Sequence, residues 1–149
     1  MSHRYTRTLI ALLLAAAFLF TTGCAVVAPE SKRFTQIMKP PAGKSVIYFY
    51  RPFNIMGADD IPSIYDNNTK ILQGLSMRTY WRYEMEPGEH TFTPKVLLGL
   101  YKKDPLTIST EPGEIYYVKM VIRIGYLGFQ EISEEEAKRD LQKTFRIDS

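Results

Sequence analysis

The sequence predicts an all-β domain, an antiparallel two-sheet β-sandwich with one short helix at its C-terminus, and three observations carry that expectation. Short runs rich in β-branched and aromatic residues follow one another from Lys44 to Ile132, in a chain with 10 Tyr and 8 Phe. Proline and glycine punctuate them, twice as the same tetrapeptide, Glu86-Pro87-Gly88-Glu89 and Glu111-Pro112-Gly113-Glu114. A helix-start pattern then stands at Ser133. Many short strands, turn signals and one late helix suit two packed sheets, and residues 43–149 suffice for one such domain.

The elements follow in order. Lys44 to Arg51 carries Val46, Ile47, Tyr48, Phe49 and Tyr50 without alternation, as in a central strand covered on both faces. Ile61 to Tyr65 and Lys70 to Leu75 flank the polar turn Asp66-Asn67-Asn68-Thr69 and form a hairpin. Thr79 to Met85 alternates, with Trp81, Tyr83 and Met85 on one face and Tyr80, Arg82 and Glu84 on the other. Each Glu-Pro-Gly-Glu is expected to make a type II turn that reverses the chain between antiparallel strands, because proline presets the first central φ and glycine accepts a positive second one. Two copies are too few for a stacked-repeat architecture.

Ile115 to Ile124 is the longest strand, with Tyr116, Val118, Met120, Ile122 and Ile124 facing one way and Lys119 and Arg123 the other. Tyr126 to Ile132 follows through Gly125. Ser133-Glu134-Glu135-Glu136 has the capping-box pattern, in which the serine accepts a backbone N–H and Glu136 reaches back. Lys138, Arg139 and Lys143 stand toward the helix C-terminus, where the dipole favours cations.

These stretches carry a resemblance. Gly43 to Pro52, Thr79-Tyr80-Trp81 leading to Pro87-Gly88-Glu89-His90, and Glu111-Pro112-Gly113-Glu114-Ile115-Tyr116-Tyr117-Val118 together resemble the bacterial lipoproteins that carry domain of unknown function 2846. The resemblance covers roughly the whole of residues 43–149. It implies a prealbumin-type or surface-layer-associated Pro-Glu-Gly-Ala-type sandwich, and it implies no activity, catalytic residue or ligand.

The N-terminus is expected to be a targeting segment. Arg4 and Arg7 precede an uncharged run from Leu9 to Phe20, and Thr21-Thr22-Gly23-Cys24 closes it with small residues, the three-part layout of a secretory signal. The run falls short of the roughly 20 apolar residues that a spanning helix needs. Small residues before a cysteine resemble the lipobox of bacterial lipoproteins, although Thr21 stands where leucine is usual. The alternative is an ordinary secretory signal with a cysteine nearby. The lipobox reading makes residues 1–23 a signal peptide, residues 24–42 a lipidated Cys24 with a flexible, proline-containing tether, and residues 43–149 the sandwich. Cys24 is the sole cysteine, so no intrachain disulfide can form and the domain must rest on its hydrophobic core. Acyl chains at Cys24 would hold the protein to a membrane without spanning it. Ala25 after the cysteine then implies the periplasmic face of the outer membrane in a Gram-negative envelope.

Charge and residue types exclude several chemistries. Without Arg4 and Arg7 the 19 basic residues fall to 17 against 16 acidic ones, too even a balance for a nucleic-acid binder. Beyond the signal, His90 is the one histidine. It shares an alternating face with Phe92 and is expected to be a packed strand histidine rather than a catalytic base. Gly74-Leu75-Ser76-Met77-Arg78 lacks the closing glycine of a nucleophile elbow. Asp59, Asp60, Asp66 and Asn67 lack calcium-loop spacing and are expected to be solvated. No metal or cofactor site and no catalytic residue is therefore expected. The expected function is a non-catalytic binding or scaffolding module that meets an envelope protein or glycan; the alternative is a small envelope enzyme with an unrecognised site around His90. Val96 to Lys103 is expected to be another strand. If it is instead an exposed loop, Leu97, Leu98, Leu100, Tyr101, Lys102 and Lys103 form an apolar surface with a basic end, suited to an envelope partner or to lipid headgroups.

Overall fold

The computed structural model describes residues 32–97 and 101–147; Cys24 and the signal segment lie outside them. The strands are β1 Ser45–Arg51, β2 Ser63–Asp66, β3 Thr69–Leu72, β4 Thr79–Met85, β5 Gly88–Lys95, β6 Lys102–Asp104, β7 Leu106–Thr110, β8 Ile115–Arg123, β9 Tyr126–Glu131 and β10 Phe145–Arg146, with helix α1 at Glu134–Leu141. They form a six-stranded sheet, β10-β4-β1-β8-β9-β6, and a four-stranded one, β3-β2-β5-β7. No helix among the described residues is long and apolar enough to cross a membrane.

The expected two-sheet sandwich is present, and its larger sheet is mixed rather than purely antiparallel. β1 pairs antiparallel with β4 but parallel with β8, Val46 lying opposite Ile115 and Tyr50 opposite Lys119. Parallel neighbours need a long crossover, and here the intervening chain supplies it by building the whole of the smaller sheet. Both Glu-Pro-Gly-Glu segments belong to this traffic, and the expectation that they join paired strands is corrected. The first carries the chain from β4 in the larger sheet to β5 in the smaller, and the second returns it from β7 to β8. The second is the expected type II turn, with Glu114 N–H donating to Glu111 O and Gly113 at φ +81°. The first is not, since Gly88 sits at φ +148° and already pairs with Thr110.

β1 is buried along its entire length, as its unbroken apolar run predicts. Ile47 and Phe49 face the core between the sheets, with Ile64, Phe92 and Ile108 of the smaller sheet across from them. Phe49 lies 5.0 Å from Phe92, 5.4 Å from Phe129 and 6.2 Å from Trp81, ring centre to ring centre. Val46, Tyr48 and Tyr50 point the other way, into a second apolar layer with Tyr80, Tyr117, Ala137 and Leu141. α1 covers part of that layer. An N-terminal arm covers the rest: Phe34 sets its ring edge-on to Tyr48 and Tyr80, and Met38 N–H donates to the Tyr48 hydroxyl at 2.9 Å. From Lys32 onward, therefore, the segment expected to be a free tether is docked on the sheet through Phe34 and Ile37.

Local expectations elsewhere are met with small corrections. The β2–β3 hairpin turns through Asn67 and Asn68, both at positive φ, as a two-residue hairpin loop requires. Ser133 Oγ accepts from Glu136 N–H as a helix N-cap, but the Glu136 carboxylate goes to Lys119 instead of back to the cap. Lys119 also meets Asp140 at 3.2 Å, and the Tyr50 hydroxyl donates to the same carboxylate at 3.0 Å. These polar contacts pin α1 to the sheet over an apolar layer. Ile124, expected within β8 on the face of Val118 and Met120, lies past the end of the strand and is almost fully exposed.

Burial raises the hydroxyl pKa of Tyr50, reinforced by Asp140, and pushes Tyr117 up to about 12, reinforced by Glu134. Burial opposes the charge on Lys119, but its bonds to Glu136 and Asp140 outweigh that and raise its pKa. A group whose folded pKa lies above its unfolded value stabilises the fold fully below the unfolded pKa and loses that contribution as pH rises through the folded one. Stability should thus decline from about pH 10, where unfolded tyrosine ionises, toward pH 12. In urea unfolding between pH 8 and 12, Tyr117→Phe should shallow that decline by roughly 1.4 kcal/mol per pH unit; an unchanged slope would show that Tyr117 ionises alike in both states.

Candidate functional site

The exposed face of the smaller sheet carries a basic groove. Along β2 the side chains alternate, Ile64 inward and Ser63 and Tyr65 outward. The register sets Lys95 of β5 opposite Ser63, and Lys70 of β3 opposite Tyr65. Lys95 Nζ lies 3.9 Å from the centre of the Tyr65 ring, a cation–π contact. Lys70 Nζ donates to Gln73 Oε1 at 2.7 Å. With Leu97 and Lys103 these residues line an open groove of about 810 Å³. Three ammonium groups around an aromatic face and an exposed leucine can hold an anionic group beside an apolar one.

The segment singled out in the sequence is only partly here. Val96 and Leu97 precede the next strand rather than forming one, and strand structure resumes at Lys102, so the expectation of one strand over Val96 to Lys103 is corrected. Leu97 and Lys103 reach the groove, while Leu98 and Leu100 lie outside the described residues. Lys102 is exposed on β6, and Tyr101 turns away to donate its hydroxyl to Asp60 Oδ2. Sequence reasoning missed Tyr65, Lys70 and Lys95. Tyr65 and Lys70 stand in strands legible in the sequence and Lys95 in one whose extent was not, and their convergence depends on β2 lying between β3 and β5.

Each end of the inter-sheet core is closed by a buried charge. At one end the Arg51 guanidinium, 1 % exposed, donates to the carbonyls of Gly57, Asp60 and Leu75. It latches the loop that follows β1, and burial lowers its pKa against the opposing pull of Asp60. At the other end His90 Nδ1 lies 2.7 Å from Asp66 Oδ2, His90 Nε2 lies 2.8 Å from Glu86 O, and the ring stacks flat on Phe92 at 5.7 Å. Burial, then Asp66, raises the Tyr83 hydroxyl pKa beside this pair.

His90 is the packed, hydrogen-bonded strand histidine that its position beside Phe92 predicts. Both ring nitrogens face acceptors, so neither is turned toward a hydroxyl that it could activate. Asp66 and Asp60 are corrected from solvated loop residues: Asp66 is buried against His90, and Asp60 accepts from Tyr101. Asn67 shapes the hairpin, its Oδ1 accepting from Thr91 N–H at 3.1 Å, while Asp59 is exposed. No three metal-binding side chains cluster among the described residues.

The His90–Asp66 pair should therefore act on stability. His90→Ala leaves a buried carboxylate without its partner and should cost about 2 kcal/mol. Asp66→Asn in that background should recover part of the loss, giving a coupling of about 1 kcal/mol in a double-mutant cycle of urea unfolding. Strict additivity would mean that the two side chains do not interact.

Comparison with known proteins supplies a family and no activity. An uncharacterized protein of Haemophilus influenzae is 27 % identical over 142 residues, spanning 90 % of this chain and 77 % of that protein. The profile of the family described as protein of unknown function, DUF2846, matches residues 41–133, from the lead-in to β1 through the residue that caps α1. The match takes in the two-sheet core, both inter-sheet corners and the basic groove, and this chain is accordingly a member of the DUF2846 family.

Proposed function

We propose that this protein is an exported, lipid-anchored module of the bacterial envelope, held at a membrane through Cys24, with a non-catalytic β-sandwich that docks an anionic envelope component. The anchor rests on the sequence: a basic start, a short apolar run and a lone cysteine after small residues. The observation that carries the docking role is the convergence of Lys70, Lys95 and Lys103 with Tyr65 and the exposed Leu97 on one open groove. A binding role suits a broad, shallow surface better than catalysis does. The imidazole that an enzyme reading would enlist, His90, is committed at both nitrogens to Asp66 and Glu86.

The anchor is tested by fractionation of cells expressing the full chain. Wild type should sediment with membranes, take up labelled palmitate and, when mature, start at residue 24. Cys24→Ser should lose the label and pass largely to the soluble fraction. A purified native protein that begins at Met1, or that carries a free thiol, overturns the proposal. The docking role is read by envelope crosslinking with mass spectrometry, where Lys70→Glu/Lys95→Glu should abolish the adduct formed by wild type.

A further inference from the structure

Six large apolar side chains that the fold leaves exposed stand at one end of the sandwich. They are Phe53, Ile55, Met56, Ile61, Leu97 and Ile124, with Ile55, Leu97 and Ile124 each 80 % exposed or more. The topology puts them there. β1 and β8 are parallel, so the loop after Arg51 and the turn after Arg123 leave the same edge. Asn54 Nδ2 ties that loop to Ile122 O at 2.9 Å, and Lys102 N–H ties the Ile124-Gly125 turn to the start of β6 through Gly125 O at 2.8 Å. Ser63 pairs with Lys95, which brings Ile61 and Leu97 to the same end. Apolar groups this concentrated mark a contact surface.

Charge is sorted along the same axis. Arg78 covers the Phe53 ring at 4.7 Å and lines one groove with it and Lys143. Lys95 and Arg123 end their strands nearby, and Lys103 lies one residue into β6. Of the acids at this end, Asp60 accepts from Tyr101, Asp104 from Tyr126, and Asp140, which lines the Arg78 groove, from Tyr50 and Lys119, while Asp59 is exposed. The opposite end carries Glu84, Glu86, Glu89, Glu111 and Glu114, and its Lys44 is paired with Glu86. The molecule thus has an apolar, cationic end and an acidic end.

The described chain also begins at the apolar, cationic end. Lys32 O accepts from Arg146 N–H at 2.7 Å, and Arg33 bridges Phe145, which lies opposite Thr79 and so beside Arg51. Seven residues separate Cys24 from Lys32; even fully extended, the eight Cα–Cα steps reach at most about 29 Å. We infer that this end of the sandwich seats on the anionic leaflet that holds the acyl chains, Phe53, Ile55, Met56, Leu97 and Ile124 entering the interface and the cations meeting lipid phosphates. The inference rests on the lipid anchor and names the partner of the basic and apolar surface. Each cation near an anionic surface raises partitioning about fivefold. The short tether makes the contact effectively intramolecular.

The test uses the full chain, lipidated, purified in detergent and returned to vesicles of phosphatidylethanolamine and phosphatidylglycerol. A polarity-sensitive fluorophore is placed at Ile55→Cys, Leu97→Cys or Ile124→Cys, with Glu89→Cys as the far-end reference. Tip probes should shift to the blue and be quenched at least about fivefold more by a lipid-borne quencher than the Glu89 probe. Bound protein with tip probes as wet as the reference overturns the inference while the anchor stands. Tip probes that are dry yet untouched by the lipid-borne quencher also overturn it, since a protein or second copy then covers the end. The anchor is judged separately with Cys24→Ser: residual, salt-sensitive binding through the tip supports the inference even without acyl chains. In that variant Ile55→Asp/Leu97→Asp should cut vesicle binding at least about tenfold, with an unchanged urea midpoint certifying the fold.

Discussion

β1 has no face to give to water, and most of the architecture follows from that. Its seven residues are buried on both sides of the sheet, so one layer of apolar cover is not enough. The smaller sheet closes one side around Phe49, and α1 with the arm from Lys32 closes the other around Tyr48 and Tyr50. A sandwich of two sheets alone would leave Val46, Tyr48, Tyr50 and Tyr117 in contact with solvent. The helix is therefore a necessary third layer, pinned by Asp140 and Glu136 to Tyr50 and Lys119.

The sandwich leaves its two ends to be sealed, and it seals them with charge. Arg51 caps one end on three backbone carbonyls; His90 and Asp66 close the other with Tyr83 beside them. Buried charges are costly unless bonded, so these groups specify where the loop after β1 and the corner before β5 must lie. That placement sets the protein's outer geography. The loop held by Arg51 presents Phe53, Ile55 and Met56 outward, and the corner held by His90 belongs to the acidic end. Under the proposed anchor, a module with one apolar, cationic end and one acidic end has a preferred way up on an anionic surface.

Several elements were legible because each depends on a few neighbouring residues: Asn67-Asn68 for the hairpin, alternation of Trp81, Tyr83 and Met85 for β4, Ser133 for the start of α1. His90 was legible for the same reason, through its spacing from Phe92. The groove was less so. Leu97 and Lys103 stood out as part of an apolar run with a basic end, but Tyr65, Lys70 and Lys95 join them across strands, and nothing along the chain announces which strands are neighbours. Arg51 carried one faint signal, a cation ending an otherwise apolar strand, and Asp66 carried none, since an acid in a polar turn is ordinarily solvated.

By itself the sequence determined β1 to β4, β8, β9, the Asn67-Asn68 and second Glu-Pro-Gly-Glu turns, the late helix and the need for a two-sided cover over β1, because periodicity and turn chemistry are local. Only the tertiary structure decided that both Glu-Pro-Gly-Glu segments cross between sheets, that β1 and β8 run parallel, and that Lys32 to Ala42 docks rather than dangles. Those outcomes depend on which edges remain free to pair: β4 is flanked by β1 and β10, and β5 by β2 and β7, so neither can accept its chain neighbour. Competition for sheet edges is a property of the whole fold and has no local sequence signature.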